Sequence, residues 1–231
     1  LLFSLLTVLS PFTIIAADAI EEIVVKASYR ETTLEKNAGS LMILSEEQLK
    51  AEPMKHLEQL SFLVPNLNFA LSDGRPRYFQ IRGIGEQSGY EGTPNSSVGL
   101  MIDDIDFSGQ GGISSSFDME QIEVHRGPQG SRMGANALAG MIYMRSKQPT
   151  DVFEGLSELS LGSDGVRSVG LAFGGPLQDN PAIKYRVSIR NDESDGFRKN
   201  SYLNRDDTTG KDELTVRLKL NHQPSEDTEL N

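Results

Sequence analysis

The sequence contains no cysteine. That excludes a disulfide framework, a thiolate metal site and a cysteine nucleophile. Basic side chains are scarce as well: 22 Lys and Arg stand against 33 Asp and Glu, a formal charge of -11. Such a chain lacks the basic face that nucleic acid requires, so no nucleic-acid partner is expected. Apolar residues make up only 37% of the 231 positions, whereas glycine is abundant at 22. This composition predicts turns and short strands rather than long helices. A long apolar run is missing too. Leu1 to Ile15 carries no charge, but Ser4, Thr7, Ser10, Pro11 and Thr13 interrupt it, and a membrane helix needs about 20 apolar residues.

What is present begins with that first stretch. It ends in Ala17-Asp18-Ala19, a small-x-small pattern. Residues 1–19 are expected to be a secretory signal whose charged start is missing, favoured over an anchor, with cleavage before Ile20. A short apolar patch, "EEIVVKA", follows, then a polar stretch and "SLMILS". Ser45 and Gln48 form a capping box that predicts a helix from Glu46. Pro53 suits the start of a second helical segment with Met54, Leu57 and Leu60 on one face, and Pro65 stops it. From Leu67 to Arg145 the pattern becomes short strands between Gly- and Ser-rich loops. The strands are expected at 67–71, 78–84, 98–106, 121–126 and 140–145. Long loops at 85–97 and 107–116 are where ligand contact would fall.

After Glu154 the texture changes again. Ile183, Tyr185, Val187 and Ile189 alternate with Lys184, Arg186, Ser188 and Arg190. Leu214, Val216, Leu218 and Leu220 alternate with Thr215, Arg217 and Lys219, and Val169, Leu171 and Phe173 with Ser168, Gly170 and Ala172. In 155–163 the alternation is poorer, because Leu156 sits on the wrong side. Strict period two puts one face in an apolar medium and the other in a polar one. Runs of about 9–11 residues match tilted membrane-spanning strands. A soluble sandwich with one wet face satisfies the same alternation. On the barrel reading, "GGPLQDNPA" and "HQPSEDT" are periplasmic turns, and Asp192 to Lys211 is an extracellular loop. Four or five strands cannot close a membrane barrel, whose smallest single-chain form has about 8. The sequence is therefore expected to be cut at both ends.

Four local sequences resemble the TonB-dependent outer-membrane receptors. "EEIVVKA" (Glu21, Glu22, Ile23, Val24, Val25, Lys26, Ala27) is similar to the TonB box. "YFQIRGIG" (78–85) and "SVGLMIDDIDF" (97–107) resemble two strands of the family's plug. "DMEQIEVHRGPQGSRMGANALAGMIYM" (118–144), built around E-V-x-R-G-P-Q-G, carries the most specific match. The resemblance implies an α+β plug domain followed by the opening antiparallel strands of a transmembrane β-barrel, incomplete here. Its divisions are a signal at 1–19, box and linker at 20–44, plug at 45–150, and first barrel strands at 151–231. Two departures stand out: Asp103-Asp104 where the family commonly has Asp-Gly, and Met133-Gly134 where an aromatic-Gly pair is usual. Positive φ costs aspartate more than glycine.

The resemblance also implies roles. TonB would bind the box from the periplasm, where an extended β-branched segment suits strand addition; the same segment also reads as the first strand of the plug. Arg82, Glu123 and Arg126 are expected to form ion pairs between plug and barrel wall, with ordinary solvated charge as the bland reading. Gln87, Tyr90, Phe107 and Gln110 are the expected ligand contacts on outward plug loops. The partners are TonB, an extracellular ligand such as a ferric siderophore, and outer-membrane lipid. Few residues separate signal and box, which is expected to leave no room for a periplasmic signalling domain.

Other motifs fail on inspection. Gly83, Gly85 and Gly89 lack dinucleotide spacing. Asp103, Asp104 and Asp106 do not make an EF-hand loop, and His56, His125 and His222 lack metal-ligand spacing. Without a catalytic constellation the chain is expected to be no enzyme, with no cofactor and no metal. The expected function is energy-coupled import of a scarce ligand, most readily a ferric siderophore, through a roughly 22-stranded barrel in the outer membrane. A passive outer-membrane barrel or adhesin without TonB coupling is the alternative.

Overall fold

The computed structural model describes residues 23–27, 32–37, 39–51, 56–72, 75–88, 95–111, 115–178, 180–205, 208–225 and 228–230. The expected signal, Glu21, Glu22 and Tyr90 lie outside the described residues. The described chain forms an α+β unit against one face of a sheet of long strands.

The α+β unit opens with two paired two-residue strands, β1 (Val24–Val25) and β2 (Thr32–Thr33). β3 (Ser40–Ser45) runs into α1 (Glu46–Ala51). The capping box forms there: the Ser45 amide donates to Gln48 Oε1 at 3.0 Å, and the Gln48 amide to Ser45 Oγ at 3.4 Å. A 3-10 turn at Leu57–Gln59 leads into α2 (Leu60–Leu63), which ends before Pro65. β4 (Leu67–Ser72) and β5 (Arg75–Ile81) make a hairpin. β6 (Val98–Ile102) and β7 (Ile105–Asp106) turn at Asp103-Asp104, so the single strand expected over 98–106 is a hairpin. Both aspartates have positive φ, 48 and 67 degrees, the backbone that such a two-residue turn demands. β8 (Met119–Arg126), the short helix α3 (Gly130–Met133) and β9 (Gly140–Ser146) complete the unit.

The main sheet of this unit has the order β3-β8-β9-β6-β7, with only the β6–β9 pair parallel. It takes in Ser40–Ser45, so the packed unit begins ahead of position 45. One face builds the larger core from Leu57, Leu60, Phe79, Leu100, Ile122, Val124, Ile142 and Met144. Each such side chain fully removed from water contributes roughly 1.5–3 kcal/mol. The other face of β6 and β9 carries a smaller cluster of Ala27, Met101, Ala137, Met141 and Tyr143.

The second sheet is antiparallel throughout: β10 (Glu154–Leu161), β11 (Arg167–Leu177), β12 (Asn180–Ser194), β13 (Lys211–Ser225) and β14 (Thr228–Leu230). β12 and β13 are 15 residues each, longer than the 9–11 expected, because antiparallel pairing runs on past the apolar band. The "GGPLQDNPA" connection is correspondingly tighter. β11 continues to Leu177 through an irregularity at Pro176/Leu177, and β12 restarts at Asn180. The alternation decides the orientation. Val169, Leu171, Leu214, Val216, Leu218 and Leu220 face outward, Leu214 at 66% exposure, whereas Ser168 and Arg190 are at 2%. A soluble sandwich would bury that apolar face; here the polar face is covered, by the α+β unit. Leu156 turns inward as its odd phase implied, lining a hollow of about 430 Å³ with Leu49, Phe117 and Arg190.

Candidate coupling site and plug–wall interface

The N-terminal segment 23–27 lies against the polar side of β8. Alternation places Gln121, Glu123 and His125 on one face of that strand and Ile122 and Val124 in the core. Glu123 is fully buried. Its carboxylate accepts the backbone N–H of Lys26 at 2.5 Å and of Ala27 at 3.1 Å, and Gln121 Nε2 at 2.8 Å. His125 Nε2 lies 2.8 Å from its other oxygen. Gln121 Nε2 also donates to the carbonyl of Val24 at 3.1 Å. Val25 and Ala27 are buried, and the Leu34 amide donates to the Ile23 carbonyl at 3.0 Å. The segment is thus an ordered strand, with β2 on one edge and a buried carboxylate on its following amides.

Glu123 was expected at the wall; its partners here are the segment 23–27 and its own strand neighbours. Arg82 sits exposed in the turn after β5 with φ of 54 degrees, and Arg126 is half-buried at the end of β8. Among the described residues, neither meets the long strands in an ion pair. Other residues carry the interface. Arg186 of β12 donates from Nε at 2.7 Å and from Nη2 at 2.5 Å to Asp118, and both side chains are nearly out of water, at 4% and 3%. Lys219 Nζ of β13 donates to Asp103 at 2.9 Å and to the Ser146 carbonyl at 3.0 Å. Arg217 donates to the Phe117 carbonyl at 3.2 Å. Lys211 meets Glu58, Lys147 meets Glu154 at 3.4 Å, and His56 faces Glu213 at 3.9 Å. The inward cations of β12 and β13 were already visible as the polar half of the alternation; their partners in the plug were not.

The electrostatics follow from this packing. Burial by itself would raise the Asp103 carboxyl, but hydrogen bonds from Ser146 and Lys219 outweigh it and hold the group below the usual aspartate range. Asp104 accepts the Tyr143 hydroxyl at 3.1 Å and pairs with Arg132, whose guanidinium lies 5.1 Å from the Tyr143 ring centroid. Burial and the neighbouring Asp104 charge push the Tyr143 hydroxyl up to about 12. The doubly left-handed turn at 103–104 is therefore held by side-chain bonds on both aspartates. His56 is pushed down by burial, against the opposing pull of Glu213.

The expected ligand contacts are spread out. Gln87 and Gln110 are exposed. Phe107 packs against the larger core, and the Gln110 amide donates to its carbonyl at 2.9 Å, so these two share one turn. Gln87 follows Glu86, a buried carboxylate that accepts the amide and hydroxyl of Ser97 at 2.9 and 2.8 Å and ties the ends of the 85–97 loop together.

The comparisons with known proteins follow this geometry. The family model described as TonB-dependent Receptor Plug Domain matches residues 33–141. The ferric enterobactin receptor PirA of Pseudomonas aeruginosa is 27% identical over 185 residues, covering 71% of this chain and 25% of that protein. The vitamin B12 transporter BtuB of Vibrio vulnificus is 29% identical over 112 residues, 48% of this chain and 18% of that one. The crystal structure of the ferric yersiniabactin uptake receptor FyuA from Yersinia pestis superposes with a TM-score of 0.72 at 25% identity, over 82% of this chain and 30% of that chain. The chain spans about a quarter of the length of the relatives it matches.

Proposed function

Because residues 33–141 place the chain in the TonB-dependent receptor family, we propose that it supplies the plug and first wall strands of a receptor that imports a scarce ligand across the outer membrane of a Gram-negative bacterium. The ligand class favoured is a ferric siderophore, since PirA is described as a ferric enterobactin receptor and FyuA as a ferric yersiniabactin uptake receptor, and cobalamin is the next candidate through BtuB. The relatives are transport receptors, and the geometry fits transport: the long strands show apolar side chains outward and charged ones to the plug. That inversion is the observation that carries the reading.

In this reading TonB is the periplasmic partner and Val24–Val25 its strand. Adding a strand to a partner's sheet needs an unpaired edge. Here Thr32–Thr33 occupy one edge, and Glu123 holds the amides of Lys26 and Ala27. The segment must leave Glu123 before it pairs elsewhere, so the carboxylate sets how readily it is offered. Gln87, Tyr90 and Gln110 would meet the ligand on the outward loops, with Phe107 shaping their turn from the core.

The test is uptake by cells carrying the full-length gene or its deletion, with and without TonB, given radioiron as a panel of ferric siderophores and labelled cobalamin. One chelate entering only when both gene and TonB are present is the expected result. Uptake indifferent to TonB would sink the reading.

A further inference from the structure

Apart from those at His56 and Glu58, the named contacts between the plug and the described wall strands gather at one end of the plug sheet. Phe117 and Asp118 stand immediately before β8. At that end Met119 pairs with Ser146, and the Lys147 amide donates to the Asp118 carbonyl at 3.0 Å. The same corner holds Asp103, whose carboxylate accepts the Ser146 amide at 2.9 Å and Lys219 Nζ at 2.9 Å.

Two residues there meet three consecutive wall strands. The ring of Phe117 lies against Gly170 of β11, where a Cβ would come within 2.6 Å of it. Only glycine leaves room for that approach. The Arg190 guanidinium of β12 sits 5.2 Å from the ring centroid, held by Asp192 at 2.7 Å and Glu158 at 3.2 Å. Arg217 of β13 takes the Phe117 carbonyl, and Arg186 of β12 grips Asp118 with two donors. Asp118 has φ of 57 degrees, a backbone that turns its carboxylate out of the strand line toward the wall. The N-terminal segment, by contrast, is attached to the positions of β8 that follow: Val24 on Gln121, Lys26 on Glu120 and Glu123, and Ala27 on Glu123.

We propose, resting on the import reading, that Phe117 and Asp118 are the plug's fixed point: positioning residues that stay docked on the wall through Gly170, Arg186, Arg190 and Arg217 while the coupling segment is drawn off the other part of β8. A buried bidentate ion pair suits this task. Separating it exposes two charges whose surroundings, the Phe117 ring included, exclude water, so the wall contact at Asp118 lets go less readily than the segment's contacts at 120–123. Lysine at 186 would offer a point charge in place of the planar fork and hold the turn less firmly.

Two measurements on the full-length receptor test this. In the first, Asp118→Cys and Arg186→Cys are joined by a short bis-methanethiosulfonate, each thiolate displacing a methanesulfinate to form a disulfide that a reductant later cleaves; the 231 residues hold no other cysteine. Uptake of radioiron is followed, using the chelate the wild type accepts from the siderophore panel. Uptake at the unlinked rate is expected; its loss on linking, with recovery on cleavage, overturns the proposal. The second reads ion leak through the receptor in planar lipid bilayers. Asp118→Asn and Arg186→Gln are each expected to leak several-fold more than wild type. The double variant should leak less than either, because no lone charge is left stranded. All three as tight as wild type overturns the assignment. If the charge variants fail to assemble, Phe117→Ala strands no charge and takes their place, with the same expectation. The leak needs no substrate, so it still reports on the fixed point when the wild type imports neither a ferric chelate nor cobalamin, the outcome that defeats the import reading instead.

Discussion

The plug sheet and the wall sheet use the same period-two alternation and send it to opposite destinations. In β8 the apolar members, Ile122 and Val124, are fully buried, and the polar members face a second layer of the same unit. In β11 and β13 the apolar members are the exposed ones, with Leu218 at 62%, and the polar members Ser168 of β11 and Arg186 and Arg190 of β12 between them are enclosed. One sheet is built for water and folds its apolar face inward. The other is built for lipid and turns it outward, so that charge becomes the interior. The two are compatible because their polar faces meet: anions on the plug at Glu58, Asp103 and Asp118 oppose cations on the wall at Lys211, Lys219 and Arg186.

The comparison is broken most readily from the plug side. Ile122→Ala removes a side chain at 0% exposure, and a cost of about 2–5 kcal/mol is expected for such a cavity. Denaturant unfolding of the purified receptor, followed by circular dichroism, measures it; a cost no greater than that of a surface change would mean the plug core is not where the packing puts it. Leu218→Arg probes the wall. In lipid it is expected to cost about 2–4 kcal/mol near the bilayer midplane. In a soluble sheet the same exposed site would accept arginine for nearly nothing, so folding of this variant in lipid vesicles decides which medium the face sees.

The meeting of the two polar faces has a pH signature. Asp103 is held below the ordinary aspartate value of 3.8 by Ser146 and Lys219, which outweigh the raising effect of burial. A depressed carboxyl contributes stability that is present above its unfolded value and lost as pH falls through the folded one. Bilayer leak is therefore expected to stay flat from neutrality into mild acid and to rise only below the usual carboxylate range, whereas Asp103→Asn leaks at every pH. The smallest effect sharpens the comparison by contrast. Lys50→Ala removes an exposed i,i+4 pair with Glu46 at 2.6 Å and should cost only about 0.3–0.5 kcal/mol in thermal unfolding.

Local features of this fold were readable and distant ones were not. The capping box at Ser45, the end of the helical segment before Pro65, and strands at 67–71, 121–126 and 140–145 follow from neighbours a few residues apart. So does the outward apolar stripe of the wall. The plug–wall pairs of Asp118, Asp103 and Glu58 join residues 68 or more positions apart, as with Asp118 and Arg186, and no periodicity reports on that. Glu123 shows the limit most clearly. Its alternation marked it as facing away from Ile122 and Val124, and the wall was the expected neighbour. A segment almost a hundred residues earlier, at Lys26 and Ala27, lies over that face and takes the carboxylate first. The tight turn at Asp103-Asp104 was legible as strain; that Ser146, Lys219, Arg132 and Tyr143 hold it required the folded chain.

The placing of β9 bears on how the receptor is assembled. Gly140–Ser146 lies between β8 and β6 and is the last plug strand to be made, yet it supplies Ile142 and Met144 to one core and Met141 and Tyr143 to the other. Until it arrives, β8 and β6 have no shared neighbour and neither apolar cluster can close. Without this strand the plug sheet keeps only the β3–β8 and β6–β7 pairs, so the closing of both clusters depends on the seven residues that stand just ahead of the first wall strand.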